Sequence, residues 1–253
     1  MLNGGAVIYI YDGSFEGLLS TVFCCYADKQ IPFAIEKSEY GQLTIDSEYR
    51  HVETDLDKAK RVMDKVIKCA GYSAYRNMYY TYLSEKADAE KNIFGYVRMC
   101  LKHGSFADRH LTTECVDFVL DAAKRTGHEA HKYTGFVRFS ELEGGIYYGE
   151  IEPMHNILPI IARHFELRYQ NMPFLINDKR RGQCLVYNGK ESIIHPVDST
   201  PNIVLSGSER EYRRLWKEFY DTVEIKERHN ERCRMSFMPK RYWKYLTELQ
   251  DFT

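Results

Sequence analysis

The sequence predicts an α+β protein: a helical-bundle region, then a small antiparallel ββαββ layer, then a basic helical C-terminus. Three observations carry that expectation. Apolar residues from Asp55 to about Arg125 recur at helical spacing. Between Tyr133 and Val197 the pattern shifts to short alternating runs broken by Gly and Asn turns. The last thirty residues then thread basic side chains between aromatic ones. With 253 residues, 44% hydrophobic and 14% aromatic, the chain can bury a sizeable core. No repeat, low-complexity tract or Pro/Ser-rich linker interrupts it. One compact unit over residues 1–253 is therefore expected, with subdomains at 1–128 and 129–253.

The elements follow in order. Ala6–Tyr11 is a β-type run closed by Asp12-Gly13-Ser14, a turn that also caps a helix over Phe15–Tyr26. Pro32–Ile35 and Leu43–Ile45 read as short strands, completing a β-α-β unit. Asp55 caps a helix to Ala70, and Tyr72–Ser84 forms another with Tyr75, Tyr79, Tyr80 and Tyr82 along it. Asn92–His103 and Leu111–Arg125 follow, divided by Gly104-Ser105-Phe106 and closed by Gly127. An aromatic stripe at this spacing reads as core.

Gly135–Phe139 is expected as a strand, turned by Glu143-Gly144-Gly145 into the hairpin partner Ile146–Ile151. Asn156–Gln170 is a helix with Pro159 tolerated in its first turn. Phe174–Asp178 and Cys184–Asn188 are strands joined around Lys179-Arg180-Arg181-Gly182, and Glu191–Val197 adds a further short one. Ser208–Tyr220 is a helix with Tyr212, Leu215, Trp216 and Phe219 on its apolar face. Lys226–Arg234 is a basic helix, and Pro239 opens a short last one.

The net charge is −1, so no global field attracts polyanions, and any nucleic-acid binding must come from local patches. The C-terminus supplies one. Seven cations, Lys226, Arg228, Arg232, Arg234, Lys240, Arg241 and Lys244, stand against two acids, Glu227 and Glu231. Tyr242 and Trp243 lie among them. Basic groups hold phosphate oxygens and flat rings stack on exposed bases, so this combination points to nucleic acid. Packing of a basic helix on an acidic face is the plainer alternative. A second cluster, Lys179, Arg180 and Arg181, could clamp a backbone while Gly182 allows close approach, or be a solvated turn. The two clusters form a groove only if they share a face.

The middle strands hold further polar groups. Arg138 sits in an apolar run, and Glu150 and Glu152 alternate so as to point one way. They could serve as an acid–base pair or hold a divalent ion, with His131 nearby. A cross-strand ion pair with Arg138 is the ordinary reading. His128, His131, His155 and His164 show no His-Glu-x-x-His spacing and read by default as surface or capping groups, so no metal is expected.

Seven cysteines without a Cys-x-x-Cys pair or an iron–sulfur triplet fit reduced thiols in a cytoplasm better than a disulfide framework. No apolar run suffices for a membrane span, and no secretory leader is evident. Without a Walker A loop, a Gly-x-Gly-x-x-Gly or a Gly-x-Ser-x-Gly elbow, no cofactor is expected.

Three segments carry a resemblance: Tyr11–Gly17; the middle motifs Gly135–Phe139, Tyr147–Pro153, Leu158-Pro159, His164-Phe165 and Asp178–Gly182; and the terminal Ile225–Asn230 with Phe237–Lys244. Together they span nearly the whole chain. They resemble a bacterial family of unknown domain function grouped with DNA metabolism and DNA repair. Its domain stands alone or is fused to a uracil-DNA-glycosylase-type domain. Stand-alone members are similar to products encoded beside a radical SAM protein of DNA modification or repair. One departure is Asn230-Glu231-Arg232 where the family pattern has Asn-Pro-Arg. No glycosylase-type segment accompanies the motifs, so base excision is not inherited.

The resemblance and the basic segments together imply a DNA-binding accessory to a radical SAM enzyme. Two alternatives stand beside it: an enzyme acting directly on a base or backbone through Glu150, Glu152 and His131, and a protein-interaction scaffold docking through its basic C-terminus.

Overall fold

The computed structural model describes residues 6–38, 47–197, 204–223, 225 and 230–250. The α+β expectation holds. The chain forms two compact units, Met1–Gly127 and His128–Thr253.

The first unit is built on strand β1 (Ala6–Tyr11), which lies between β2 (Ala34–Lys37) and β3 (Ser47–His51) and is parallel to both. Residues Val7 to Tyr11 are all buried, as a central parallel strand covered on both faces requires. The strand expected at Leu43–Ile45 lies outside the described residues. Strand β3, two positions further on, has little apolar alternation to announce it.

Helix α1 (Phe15–Ala27) begins where Ser14 Oγ accepts the Gly17 N–H at 2.9 Å. Helices α2 (Leu56–Ala70), α3 (Tyr72–Leu83) and α4 (Ala89–His103) follow at their expected places. Asp55 caps α2 through the N–H groups of Asp57 and Lys58. Gly71, at φ +91°, separates α2 from α3 in a conformation that favours glycine. The tyrosine stripe is core: Phe15 packs against Tyr75, Tyr79 and Tyr82 at centroid distances of 5.0–6.1 Å.

Helix α5 runs from Glu114 to Phe136 and does not close at Gly127. Its last turns use the segment expected to be a strand, so β4 is only Phe139–Glu141 and Arg138 lies in the irregular link before it. Burial of Ala130 and Tyr133 in the second core overrides the weak helix propensity of Gly127 and Gly135.

The second unit carries a five-stranded sheet in the order β4-β5-β6-β7-β8. Its other strands are β5 (Tyr147–Ile151), β6 (Phe174–Asp178), β7 (Gln183–Tyr187) and β8 (Ser192–Pro196). The sheet is mixed rather than wholly antiparallel. β5 and β6 run parallel, connected by helix α6 (Leu158–Tyr169), while the other three pairings are antiparallel. Helix α6 buries Leu158, Ile161 and Phe165 in a core that includes Ile151, Phe174, Ile176 and Leu185. Tyr148 and Glu150 alternate away from Ile151 and so take the opposite face of β5. The chain ends with α7 (Glu209–Val223), α8 (Glu231–Phe237) and short 3₁₀ turns at Lys240–Tyr245 and Thr247–Leu249. The basic helix expected from Lys226 is thus seen only from Glu231 onward, residues 226–229 lying outside the described set.

The loop into α1 is closely knotted. Asp12 accepts from the Ser14 backbone N–H, the Ser14 hydroxyl and the Thr54 hydroxyl at 2.7–2.9 Å. Burial opposes its ionisation, but these bonds outweigh it and hold the carboxyl below its ordinary range. A Cβ on Gly17 would collide with Asp12 Oδ1 and stand 2.8 Å from Thr54 Oγ1. Gly17→Ala is therefore expected to destabilise the protein by about 1–3 kcal/mol, the usual range for overpacking, measured by urea unfolding followed by far-UV circular dichroism.

Candidate nucleic-acid interface

On the face of β5 opposite α6, the second unit has an open cleft of about 320 Å³. It is bordered by Arg138, Ser140, Tyr148, Glu150, Arg213 and Lys244, with Tyr245, Thr247 and Gln250 completing the C-terminal wall. Ser140 lies beside Tyr148 in the antiparallel β4–β5 register, so both present side chains to this face. Gly149 lets the chain before β4 approach: a Cβ there would sit 2.9 Å from Val137 and 3.2 Å from the Arg138 carbonyl.

Glu150 is oriented from beneath. The buried Asn177 amide donates to the Tyr148 hydroxyl at 3.1 Å, and that hydroxyl donates to Glu150 Oε1 at 2.9 Å. Burial pushes the Tyr148 hydroxyl well up, so it stays a donor. Lys179 lies 3.5 Å from Glu150 Oε2. Glu152, just past the strand, accepts from Lys244 and, at 3.0 Å, from the Tyr245 hydroxyl. Lys244 first, then Tyr245, with a further contribution from Lys179, holds its carboxyl below the ordinary range. The two basic segments therefore meet on neighbouring carboxylates at one end of β5.

The cross-strand pair between Arg138 and Glu150 or Glu152 is not formed. Because Arg138 lies in the irregular link between α5 and β4, its guanidinium instead forks onto Glu248 at 2.7 and 3.1 Å, and the Trp216 indole donates to the same carboxylate at 3.1 Å. Glu248 is buried. Burial raises its carboxyl, yet the bonds from Arg138 and Trp216 prevail and hold it below the ordinary range. Arg213 donates to Ser140 Oγ and pairs with Glu209 at 2.8 Å.

Several expected contact residues have other duties. Arg181 is turned inward: it pairs with fully buried Asp178 at 2.9 Å and donates to the carbonyls of Pro153 and Met154. That removes it from the clamp expected of the Lys179–Arg181 turn, leaving Lys179 and Arg180 exposed. Tyr242 is 1% exposed and packs edge-on against Tyr133, with ring centroids 5.1 Å apart, so it is a core residue and not a stacking platform. Arg241 lies over the Tyr242 ring and 3.6 Å from Glu129. Trp243 has Arg234 and Lys240 against its ring, at 4.7 and 5.5 Å. Arg232 and Lys240 are exposed, as is His131, which does not border the cleft. Lys226 and Arg228 lie outside the described residues. Tyr245, which is not among the candidates, lies on the cleft wall.

Among the described residues, no three His, Cys, Asp or Glu side chains gather so as to hold a metal ion, and no helix is long and apolar enough to cross a membrane. All seven cysteines are free thiols.

Glu248→Gln removes the charge that Arg138 and Trp216 share and is expected to cost about 2–4 kcal/mol. A carboxyl with a lowered folded value contributes stability above its unfolded value and loses it as pH falls through the folded one. The unfolding midpoint of E248Q should therefore fall less steeply on acidification than that of the unaltered chain. Equal acid limbs in urea titrations would refute this account of Glu248.

No curated protein matches the chain. A family match covers residues 87–248, which include α4, the mixed sheet and every named residue of the cleft except Gln250, and amount to more than half of the sequence. The protein thus belongs to the family described as a domain of unknown function, DUF4130.

Proposed function

We propose that this protein binds nucleic acid and serves DNA repair or DNA metabolism as the accessory partner of a radical SAM enzyme in the cytoplasm. The observation that carries the binding proposal is the convergence of Lys179, from the β6–β7 turn, and Lys244, from the C-terminal turn, on Glu150 and Glu152. A phosphodiester arriving there exchanges carboxylate partners for phosphate oxygens. Exposed Arg180, Arg232 and Lys240 add sequence-independent attraction. Tyr245 replaces Tyr242 as the ring available to an unstacked base. The radical SAM partner follows from the sequence resemblance. The thiols of this chain form no cluster motif, which fits a division of labour in which the partner does the redox chemistry.

A second reading, an enzyme acting on a base or backbone, draws support from Glu150, which Tyr148 orients into the cleft. It differs from the first in one result: turnover of a damaged oligonucleotide by the purified chain alone, abolished by Glu150→Gln.

Fluorescence anisotropy against single-stranded, duplex and uracil-containing oligonucleotides, across a salt series, tests the binding proposal. The triple variant Arg180→Gln, Lys240→Gln, Arg232→Gln should bind about tenfold more weakly at moderate salt. Its plot of log K against log salt should be shallower by about 2–3. Affinity and slope unchanged in the variant, or no binding by the unaltered chain at low salt, would sink it.

A further inference from the structure

Helices α1, α2 and α4 leave an apolar trough between them, of about 260 Å³. Its floor is aliphatic: Val22, Val62, Val66 and Val97 are buried, and half-buried Leu101 lies beside them. Residues 62 and 66, like 97 and 101, stand one helical turn apart, so α2 and α4 each offer one aliphatic stripe. Half-buried Phe23 and exposed Tyr26 form the α1 side. Tyr26 and Leu101 also border a second, more open depression of about 560 Å³, which passes Met99 to reach Thr113 and Cys115. The two depressions thus form one surface.

Four exposed cations rim it. Arg61 and Lys65 stand one turn apart on α2, and Arg98 and Lys102 one turn apart on α4. No carboxylate lines either depression. Among the described residues, none of the four has a carboxylate within ion-pair distance, whereas Lys37, Arg50, Lys58, Lys86 and Arg125 of the same unit each pair with one. The guanidinium of Arg61 lies 4.7 Å over Phe23, and that of Arg98 lies 5.9 Å over Phe94. In a chain of net charge −1, these four charges are a local excess.

That excess says what the trough suits. A ligand must set apolar groups on the valines and anions beside the cations. A sugar–phosphate chain meets the second demand and fails the first, because the valine floor offers no donor to its oxygens. A small anion would leave most of an open trough uncovered, whereas small-ligand pockets enclose most of what they bind. An amphipathic helix meets both demands. Its apolar residues at i, i+4 and i+7 descend onto the floor, and acids at their flanks reach the cations of α2 and α4.

We propose that this trough is the docking site for an acidic amphipathic helix of a partner protein. The site lies wholly within the first unit and does not depend on the nucleic-acid reading.

Fluorescence anisotropy on the full chain tests it, with a labelled helical peptide that carries Leu at i, i+4, i+7 and i+11 and Glu on either flank. This peptide should bind with a Kd of about 10 µM. A version with Lys in place of each Glu should bind about tenfold more weakly or worse. Changing all four cations together, Arg61→Glu, Lys65→Glu, Arg98→Glu and Lys102→Glu, should reverse that preference; a chain that had merely lost its fold would hold neither peptide. Tyr26→Ser removes the exposed ring shared by both depressions, leaves the charges alone, and should weaken the Glu-flanked peptide about tenfold. Equal affinity for the two peptides, no binding of the Glu-flanked one up to about 1 mM, or an affinity that both variants leave unchanged overturns the proposal. Displacement of the peptide by a single-stranded oligonucleotide overturns it in favour of nucleic acid, and saturation by dodecanoate without peptide binding overturns it in favour of a small anion.

Discussion

The second unit depends on one partly buried ionic contact, the fork of Arg138 onto buried Glu248. These residues are 110 positions apart, and the pair fastens the C-terminal turns to the start of the sheet. Two bonds from one guanidinium define a direction as well as an energy. The indole of Trp216 shares the carboxylate, so α7 is placed by the same group. Around that anchor, Tyr242 and Leu246 enter the core while Lys240, Arg241 and Lys244 remain outside. The alternation of buried and exposed residues along this short terminal stretch turns a basic tail into one wall of a cleft.

The cations of that wall are mostly already engaged. Lys244 rests on Glu152, Arg213 on Glu209, Lys179 on Glu150 and Arg241 near Glu129. A surface of this kind has little excess field and suits a ligand that offers its own anions in the right places. It is consistent with a chain whose net charge is only −1. Counting basic residues along the sequence overstates the attraction, because the carboxylates that answer them come from β5, α5 and α7.

Local signals were legible and distant ones were not. Asp55, Ser14 and the tyrosine spacing announced their helices because capping and periodicity act within a few residues. Strands β6 and β7 were visible from their apolar runs between turn residues. The reading failed where tertiary burial reversed a local preference. Glycines at 127 and 135 suggested a helix end and a strand, yet Tyr133 and Phe136 needed the helix to continue so as to meet Tyr242. Tyr242 and Tyr245 look alike in a basic, aromatic run; only the packing shows that the first is core and the second faces the cleft. Arg181 was misjudged for a related reason. Its partner Asp178 lies three residues away, but the carbonyls of Pro153 and Met154 that complete its shell come from another strand's exit.

The single parallel pairing in the sheet has a kinetic consequence. β4 with β5, and β6 with β7 and β8, are joined by short turns and can each zip up from local contacts on the microsecond scale of hairpins. Neither process brings β5 beside β6, because a parallel neighbour requires the chain to cross the sheet and return. Docking of α6 is therefore the event that fuses two hairpin nuclei into one sheet, and loop closure across residues 152–173 sets its entropic barrier. The transition state for folding of this unit is expected to centre on Leu158, Ile161 and Phe165, while the turn at Asp178–Gly182 consolidates independently.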